Sequence, residues 1–459
     1  MKLHLLHTND LHGHLENWPV IQAFIQEQQN QFTQAGEQVI TIDIGDAMDA
    51  QHPLVEASVG QVMVDLFNQA DYDLATIGNN EGLNFTPDQL AARYQEADFQ
   101  LVISNLLLAE TDQVPKWGQL VYYQPVASGK VVAFIGLTAP YPSYHLNHYV
   151  IQEPLYALRQ ALDQIELRED VIGIVLLSHL GIQMDRQIAQ EFPQIQVILG
   201  GHTHHLLVEG EWVNESLLAA CGRYGDFVGH VTMNYDWVTG RWDLKARAYD
   251  TVQLREEFAI PDSAGQVYLN QGRQALADRR IAYSSQAYYA LDLEGDHSFI
   301  QLALEAVDQT LDCDLVFLNS GLFLSDLPQG WISENDLHEA LPHPMHLATV
   351  RLKGSELIEF LESVDQQADD LKDTLISGLG FRGKVFGEIV FKGLDYHPVI
   401  DQWSIGGQLI QKDQTYRLGT VDHLTFLSFF PVLTRRGEAN LLFPDFLRHV
   451  VAHYLRQIN

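Results

Sequence analysis

The stretch Leu5-Leu6-His7-Thr8-Asn9-Asp10-Leu11-His12-Gly13-His14-Leu15-Glu16 starts as an apolar run and breaks, within a few residues, into carboxylate, amide and imidazole side chains. A run bounded so abruptly predicts a buried strand, Lys2 to Leu6, whose end delivers metal-ligand residue types. The same pattern recurs along the first two hundred residues. Val39 to Ile44 runs into Gly45-Asp46, Leu74 to Ile77 into Gly78-Asn79, Gly173 to Leu177 into Ser178-His179, and Val197 to Leu199 into Gly200-Gly201-His202-Thr203-His204. In a parallel sheet such ends converge on one edge, which is where open α/β proteins place ligands. Asp10, His12, Asp46, Asn79, His179, His202 and His204 would then meet there.

Carboxylates mixed with imidazoles suit two adjacent divalent ions, Mn, Fe, Co or Zn, better than oxygen-loving Ca or thiolate-bound Zn. Two cations held side by side need a bridging carboxylate, and Asp46 is the best placed, because Gly45 before it lets the backbone approach closely. Asn79 offers a neutral carbonyl oxygen, and His202 and His204 could each feed a different ion. A single Asp-x-His is common by chance. Ligand types at five strand ends of one domain are not.

Working outward, strands at Leu101 to Ser104 and Val131 to Leu137 alternate with helices at Trp18 to Gln31, Val59 to Asn68, Thr86 to Ala97 and Leu155 to Glu166. The segment Leu217 to Tyr249 reads as antiparallel strands closing the domain. The expected class is α/β: a layered sheet-and-helix domain over residues 1–255, a connecting helix over 256–280 starting near Ile260-Pro261-Asp262, and an α+β domain over 281–459. Repeats, a Walker loop and G-x-G-x-x-G are all absent, which removes the simplest P-loop and dinucleotide readings.

Of 459 residues, 27 are Lys or Arg and 60 are Asp or Glu, a formal net charge of −33. Such a chain repels nucleic-acid backbones and anionic membranes, while a small phosphorylated partner remains open because bound metal ions invert the local potential. The longest apolar stretch, Val171 to Ile182, falls short of the roughly 20 residues of a membrane span. Met1 leads directly into a strand pattern, and the two cysteines, Cys221 and Cys313, lie far apart. No signal peptide, no membrane and a cytoplasmic location are therefore expected.

Taken together, Leu5 to Glu16, TIDIGDAMDA from Thr41, TIGNNEG from Thr76, ISNL from Ile103, SHLG from Ser178 and GGHTHH from Gly200 resemble the calcineurin-like metallophosphoesterases. Within them the chain is similar to the two-domain 5′-nucleotidase and 2′,3′-cyclic phosphodiesterase family, over nearly its whole length, and specifically to a cytosolic bacterial branch. The resemblance implies that Asp10, His12, Asp46 and His204 hold one metal while Asp46, Asn79, His179 and His202 hold the other. It further implies that a metal-bound hydroxide attacks phosphorus in line, both ions neutralising the developing charge.

One departure bears on catalysis. In that family the asparagine ligand is usually followed by His-Glu, with an aspartate two residues further on, whereas this chain reads Asn79-Asn80-Glu81-Gly82-Leu83. Asn80 can donate a hydrogen bond to a phosphoryl oxygen but carries no titratable proton. His52, on the loop after Asp46, is the first candidate to replace the missing acid, with His14 and His205 behind it.

The second domain resembles the nucleotide-binding domain of the same family through Phe317 to Gly321, including Asn319, although Leu322-Phe323 stand where a substrate-binding arginine is commonly found nearby. Phe381, after a Gly378 and Gly380 turn, and His423 or Phe426 are the candidate faces for stacking a base. The expected function is dimetal-dependent hydrolysis of a small phosphate ester, foremost a nucleotide. A non-nucleotide phosphatase, or a slow metal-holding nucleotide sensor, stays open beside it.

Overall fold

The computed structural model describes residues 1–376, 381–435 and 438–458, and divides into two compact units, Met1–Gly272 and Arg273–Asn459. The first unit is built on two sheets. In one, β1 (Lys2–Thr8), β2 (Gln38–Asp43) and β3 (Leu74–Ala75) run parallel, and the antiparallel hairpin Phe227–Asp236 and Arg241–Asp250 extends the sheet beyond β1. In the other, β4 (Val171–His179) lies parallel to β5 (Val197–Gly200) and to Val131–Thr138. The sequence pattern suggested one central sheet; the structure has two, packed face to face.

That packing follows from composition. The strands are near-continuous Val, Ile and Leu because both faces are covered. Leu3, Leu5, Ile40 and Ile42 of the first sheet share a core with Val132, Phe134, Val175, Leu177 and Leu199 of the second. The outer face of the first sheet is closed by Trp18–Gln34 and its neighbours, that of the second by Pro154–Glu166 and Ile182–Glu191. The helix expected from Val59 to Asn68 is present as Gln61–Gln69, starting two residues later because Val59 and Gly60 take left-handed backbone after α1 (Pro53–Ser58). The connecting helix expected from Ile260-Pro261-Asp262 opens as a 3-10 turn at Asp262–Gly265, capped by Pro261, and continues as Gln266–Ala277; the helix Thr251–Glu257 before it ends where Ala259 takes left-handed backbone.

The second unit has a five-stranded sheet in the order Ile389–Lys392, Leu315–Asn319, Thr415–Val421, His346–Lys353 and Glu438–Phe446. Helices Phe299–Leu311, Gly354–Asp373 and Leu447–Ile458 bury their apolar stripes in one core with it. Mostly antiparallel pairing makes this unit α+β, as expected. Among the described residues no helix is long and apolar enough to cross a membrane.

Candidate metal centre

The turns after β1 and β2 are zipped together: the amides of Asp10, His12 and Gly13 donate to the carbonyls of Gly45, Asp46 and Ala47 at 3.0, 2.7 and 2.9 Å. The approach demands glycine. A Cβ on Gly45, whose φ is +92°, would lie 2.1 Å from the Gly78 nitrogen, and one on Gly78 would lie 2.1 Å from Asp46 Oδ1. Asp10, His12, Asp46, His202 and His204 themselves have φ of 52°, 48°, 53°, 71° and 56°. Left-handed backbone at non-glycine residues costs roughly 1 kcal/mol or more each, so the surrounding bonds must hold these turns in place.

Six of the seven sequence-derived candidates come together where the two sheets meet, β1 and β2 contributing from one sheet, β4 and β5 from the other; the seventh, Asn79, follows β3 and precedes Asn80, whose amide donates to Asp46 Oδ1. Asp10, His12 and His204 form one cluster and Asp46, His179 and His202 a second, each with its donor atoms within 4.8 Å. In the first, His204 Nε2 lies 3.2 Å from His12 Nε2 and 3.4 Å from Asp10 Oδ1. Asp46 Oδ2 stands 3.3 Å from His179 Nε2 and 3.7 Å from His12 Nε2, so a single carboxylate oxygen faces both clusters.

Several buried lone pairs are left over. His179 Nδ1 donates to the Ile44 carbonyl at 2.8 Å, which turns an Nε2 without an aligned hydrogen bond toward Asp46; Asn79 Oδ1 is also buried and unbonded. Buried polar atoms normally find partners, and these two fit a cation better than water-free protein. The electrostatics agree. Burial alone would lower His179, but Asp46 and Asp10 outweigh it and push the imidazole up to about 10. His12 is raised in the same way, burial opposed by Asp49, Asp46 and Asp10. Imidazolium charge is thus demanded wherever no other cation supplies it, and the donor set fits divalent ions.

Residues the sequence reading missed hold the ligands. The Glu81 carboxylate accepts from the amides of Asp46 (3.0 Å), Gly78 (2.8 Å) and Met48 (2.8 Å), locking the β2 turn to α2 (Asn79–Asn84). Asn9 Nδ2 donates to Asp10 Oδ2 and to the Gly222 carbonyl, both at 2.7 Å. Asp49 Oδ2 lies 3.4 Å from His12 Nδ1, the pairing that fixes a ligand imidazole. Only its place in TIDIGDAMDA signalled Asp49. Asp43 turns inward, accepting from Thr8 Oγ1 (2.7 Å) and the Gly45 amide (2.9 Å).

The catalytic candidates fare differently. The Asn80 amide donates to Asp46 Oδ1 at 2.7 Å, and its side-chain Nδ2 lies 3.0 Å from His12 Nδ1, so the structure turns Asn80 toward the ligands. His52 caps α1, its Nδ1 accepting from the Leu54 amide at 3.1 Å; burial pushes it down to about 4, so the imidazole is neutral rather than cationic at neutral pH. His14 stacks on Tyr224 and His205 bonds Thr203.

In the second unit the expected base slot is closed. Phe381 is buried, stacked on His423 with ring centroids 5.3 Å apart and on His343 at 5.0 Å. A base between parallel rings needs about 7 Å, two van der Waals contacts. Asn319 is buried, donating to the Phe386 carbonyl, and Leu322 and Phe323 are core. Phe426 is 57% exposed and takes no part in the stack. The Gly378 and Gly380 turn lies outside the described residues.

Residues 3–206 match the calcineurin-like phosphoesterases, and residues 280–429 match the C-terminal domain of 5′-nucleotidases. The chain is 34% identical to the uncharacterized metallophosphoesterase YunD of Bacillus subtilis, covering 99% of both chains. The Haemophilus influenzae NAD nucleotidase superposes with a TM-score of 0.65 at 15% identity, over 100% of this chain and 96% of that one. A 5′-nucleotidase precursor from Thermus thermophilus gives 0.56 at 19% identity, over 100% and 97%. At such identities the two structures testify to fold.

Proposed function

The chain belongs to the calcineurin-like metallophosphoesterases that carry a 5′-nucleotidase C-terminal domain, and on that premise we propose that it hydrolyses a small phosphate ester, foremost a nucleotide, at the paired clusters of its first unit. The observation that carries this reading is the single Asp46 oxygen facing both clusters while His179 Nε2 and Asn79 Oδ1 lie buried and unbonded. Asp10, His12, Asp46 and His204 would hold one divalent ion, and Asp46, Asn79, His179 and His202 the other. When bound, two such ions supply a water of lowered pKa and positive charge for in-line displacement at phosphorus.

The chain's own residues keep the donors ready. The Ile44 carbonyl holds a proton on the outer nitrogen of His179, leaving its Nε2 lone pair toward the centre, and Asp49 Oδ2 and Asn80 Nδ2 both reach the outer nitrogen of His12, at 3.4 and 3.0 Å. Glu81 fixes the Asp46 turn. Proton delivery to the leaving group is the weak point, since Asn80 can donate a hydrogen bond but not a proton. Both cysteines are free thiols, which fits work in a reducing, cytoplasmic setting.

The test is phosphate release from a panel of nucleotides, sugar phosphates and aryl phosphates by protein loaded with Mn, with metal content measured in parallel. Fully loaded protein that released phosphate from none of them would overturn the hydrolase reading. It would favour the second, a metal-holding nucleotide sensor, which is motivated by the turn of Asn80 toward His12.

A further inference from the structure

A substrate bearing two negative charges must approach a chain of formal net charge −33, so a cation at the mouth of the clusters has electrostatic work to do. Arg223 is placed for it. Its NH1 lies 3.4 Å from His204 Nδ1, on an exposed side chain that forms no ion pair among the described residues. The contact is too long to satisfy the guanidinium.

The arginine is exposed yet preorganised. Its Cζ sits 4.6 Å from the Tyr224 ring centre, and that ring also stacks with His14 at 4.0 Å. The turn carrying both residues is stapled to the first ligand loop on two sides: the Tyr224 amide donates to the Asp10 carbonyl at 2.8 Å, and Asn9 Nδ2 donates to the Gly222 carbonyl at 2.7 Å. Tyr224 has φ of 60°, a conformation retained where neighbouring bonds over-determine it. The cation therefore moves with Asp10 and His204 as part of one framework.

We propose that Arg223, resting on Tyr224, binds a non-bridging phosphoryl oxygen of the substrate and of the inorganic phosphate released, which makes the site selective for dianionic esters. Guanidinium presents paired donors matched to phosphate oxygens, and its stacking on an aromatic face lowers the entropy lost on binding. The assignment rests on the hydrolase reading for the word substrate, and on geometry alone for phosphate binding.

The test uses the whole chain loaded with Mn, comparing wild type with Arg223→Ala and Arg223→Lys. Inorganic phosphate binding by calorimetry and phosphate inhibition of p-nitrophenyl phosphate hydrolysis should both weaken by about 10-fold to 100-fold in Arg223→Ala, the range of a charge-assisted hydrogen bond. KM should rise with them. Arg223→Lys should recover part of the loss, and bis-p-nitrophenyl phosphate, a monoanion, should be far less affected. Metal content should remain that of wild type. Unchanged phosphate affinity in Arg223→Ala at wild-type metal content would overturn the proposal, as would a loss explained by missing metal in both variants. Arg223-dependent phosphate binding in a loaded protein that hydrolyses no ester would support the role of Arg223 and sink the hydrolase reading alone.

Discussion

At the scale of single residues, Asp46 has the most to lose. One oxygen serves both clusters and the other accepts from the Asn80 amide, so Asp46→Asn should lower occupancy of both metals and abolish turnover together. Metal analysis with a phosphate assay checks this; two ions per chain in that variant would refute the bridge. His52 is predicted to matter for stability instead. Losing its cap on Leu54 should cost about 1 kcal/mol in denaturant unfolding, without changing the dependence of rate on leaving group. Asn80 leads to a prediction about chemistry: aryl esters should be cleaved much faster than alkyl esters, because the Asn80 amide carries no titratable proton for a poor leaving group. Asn80→His with Leu83→Asp should raise kcat on alkyl esters more than on aryl esters. A leaving-group slope identical in wild type and double variant would defeat that account. The ligand types were legible in the sequence because their chemistry is written in the residue names. Asp49 and Glu81 were not, since a carboxylate that steadies a ligand looks like any other acid until its neighbours are known.

At the scale of elements, the site depends on how closely turns approach. Gly45→Ala and Gly78→Ala each place a methyl 2.1 Å from backbone or ligand atoms, so both should lose metal binding even if the core folds. Circular dichroism of wild-type shape together with depleted metal is the expected result; full occupancy in either variant would show that the turns can open. The strands were readable as apolar runs with polar ends. Two helix starts differ from the sequence pattern. The helix expected from Val59 starts at Gln61, because Val59 takes left-handed backbone, a conformation that a β-branched side chain rarely adopts and its sequence gives no hint of. The connecting segment, whose start Ile260-Pro261-Asp262 marks in the sequence, opens as a 3-10 turn before the helix Gln266–Ala277.

At the scale of the whole molecule, buried titratable groups set the response to acid. In the second unit burial pushes His343 down to about 3 and His346 to about 4, while it raises Asp422 to about 7. The two histidines stabilise the folded unit fully above pH 6.5 and progressively less as pH falls toward their folded values, since only the unfolded chain takes up those protons. Asp422 acts in reverse, its contribution present at low pH and lost as pH rises toward 7. Two imidazoles against one carboxyl leave a net loss of about 1 kcal/mol per pH unit near pH 5.5. Hydrogen exchange of strand Thr415–Val421 between pH 6.5 and 4.5 measures it, and Asp422→Asn should steepen the loss; a flat profile in both proteins would contradict the balance. The sequence by itself determined the candidate ligand types, the α/β and α+β classes and the family, because strand ends, periodicity and residue chemistry are local properties of the chain. Only the tertiary structure decided that two sheets rather than one bring the ligands together, that one Asp46 oxygen faces both clusters, that Arg223 reaches His204, and that Phe381 and His423 close on each other where a base was expected. Those are distances between residues far apart in the chain, and they are set by packing, which no single segment encodes.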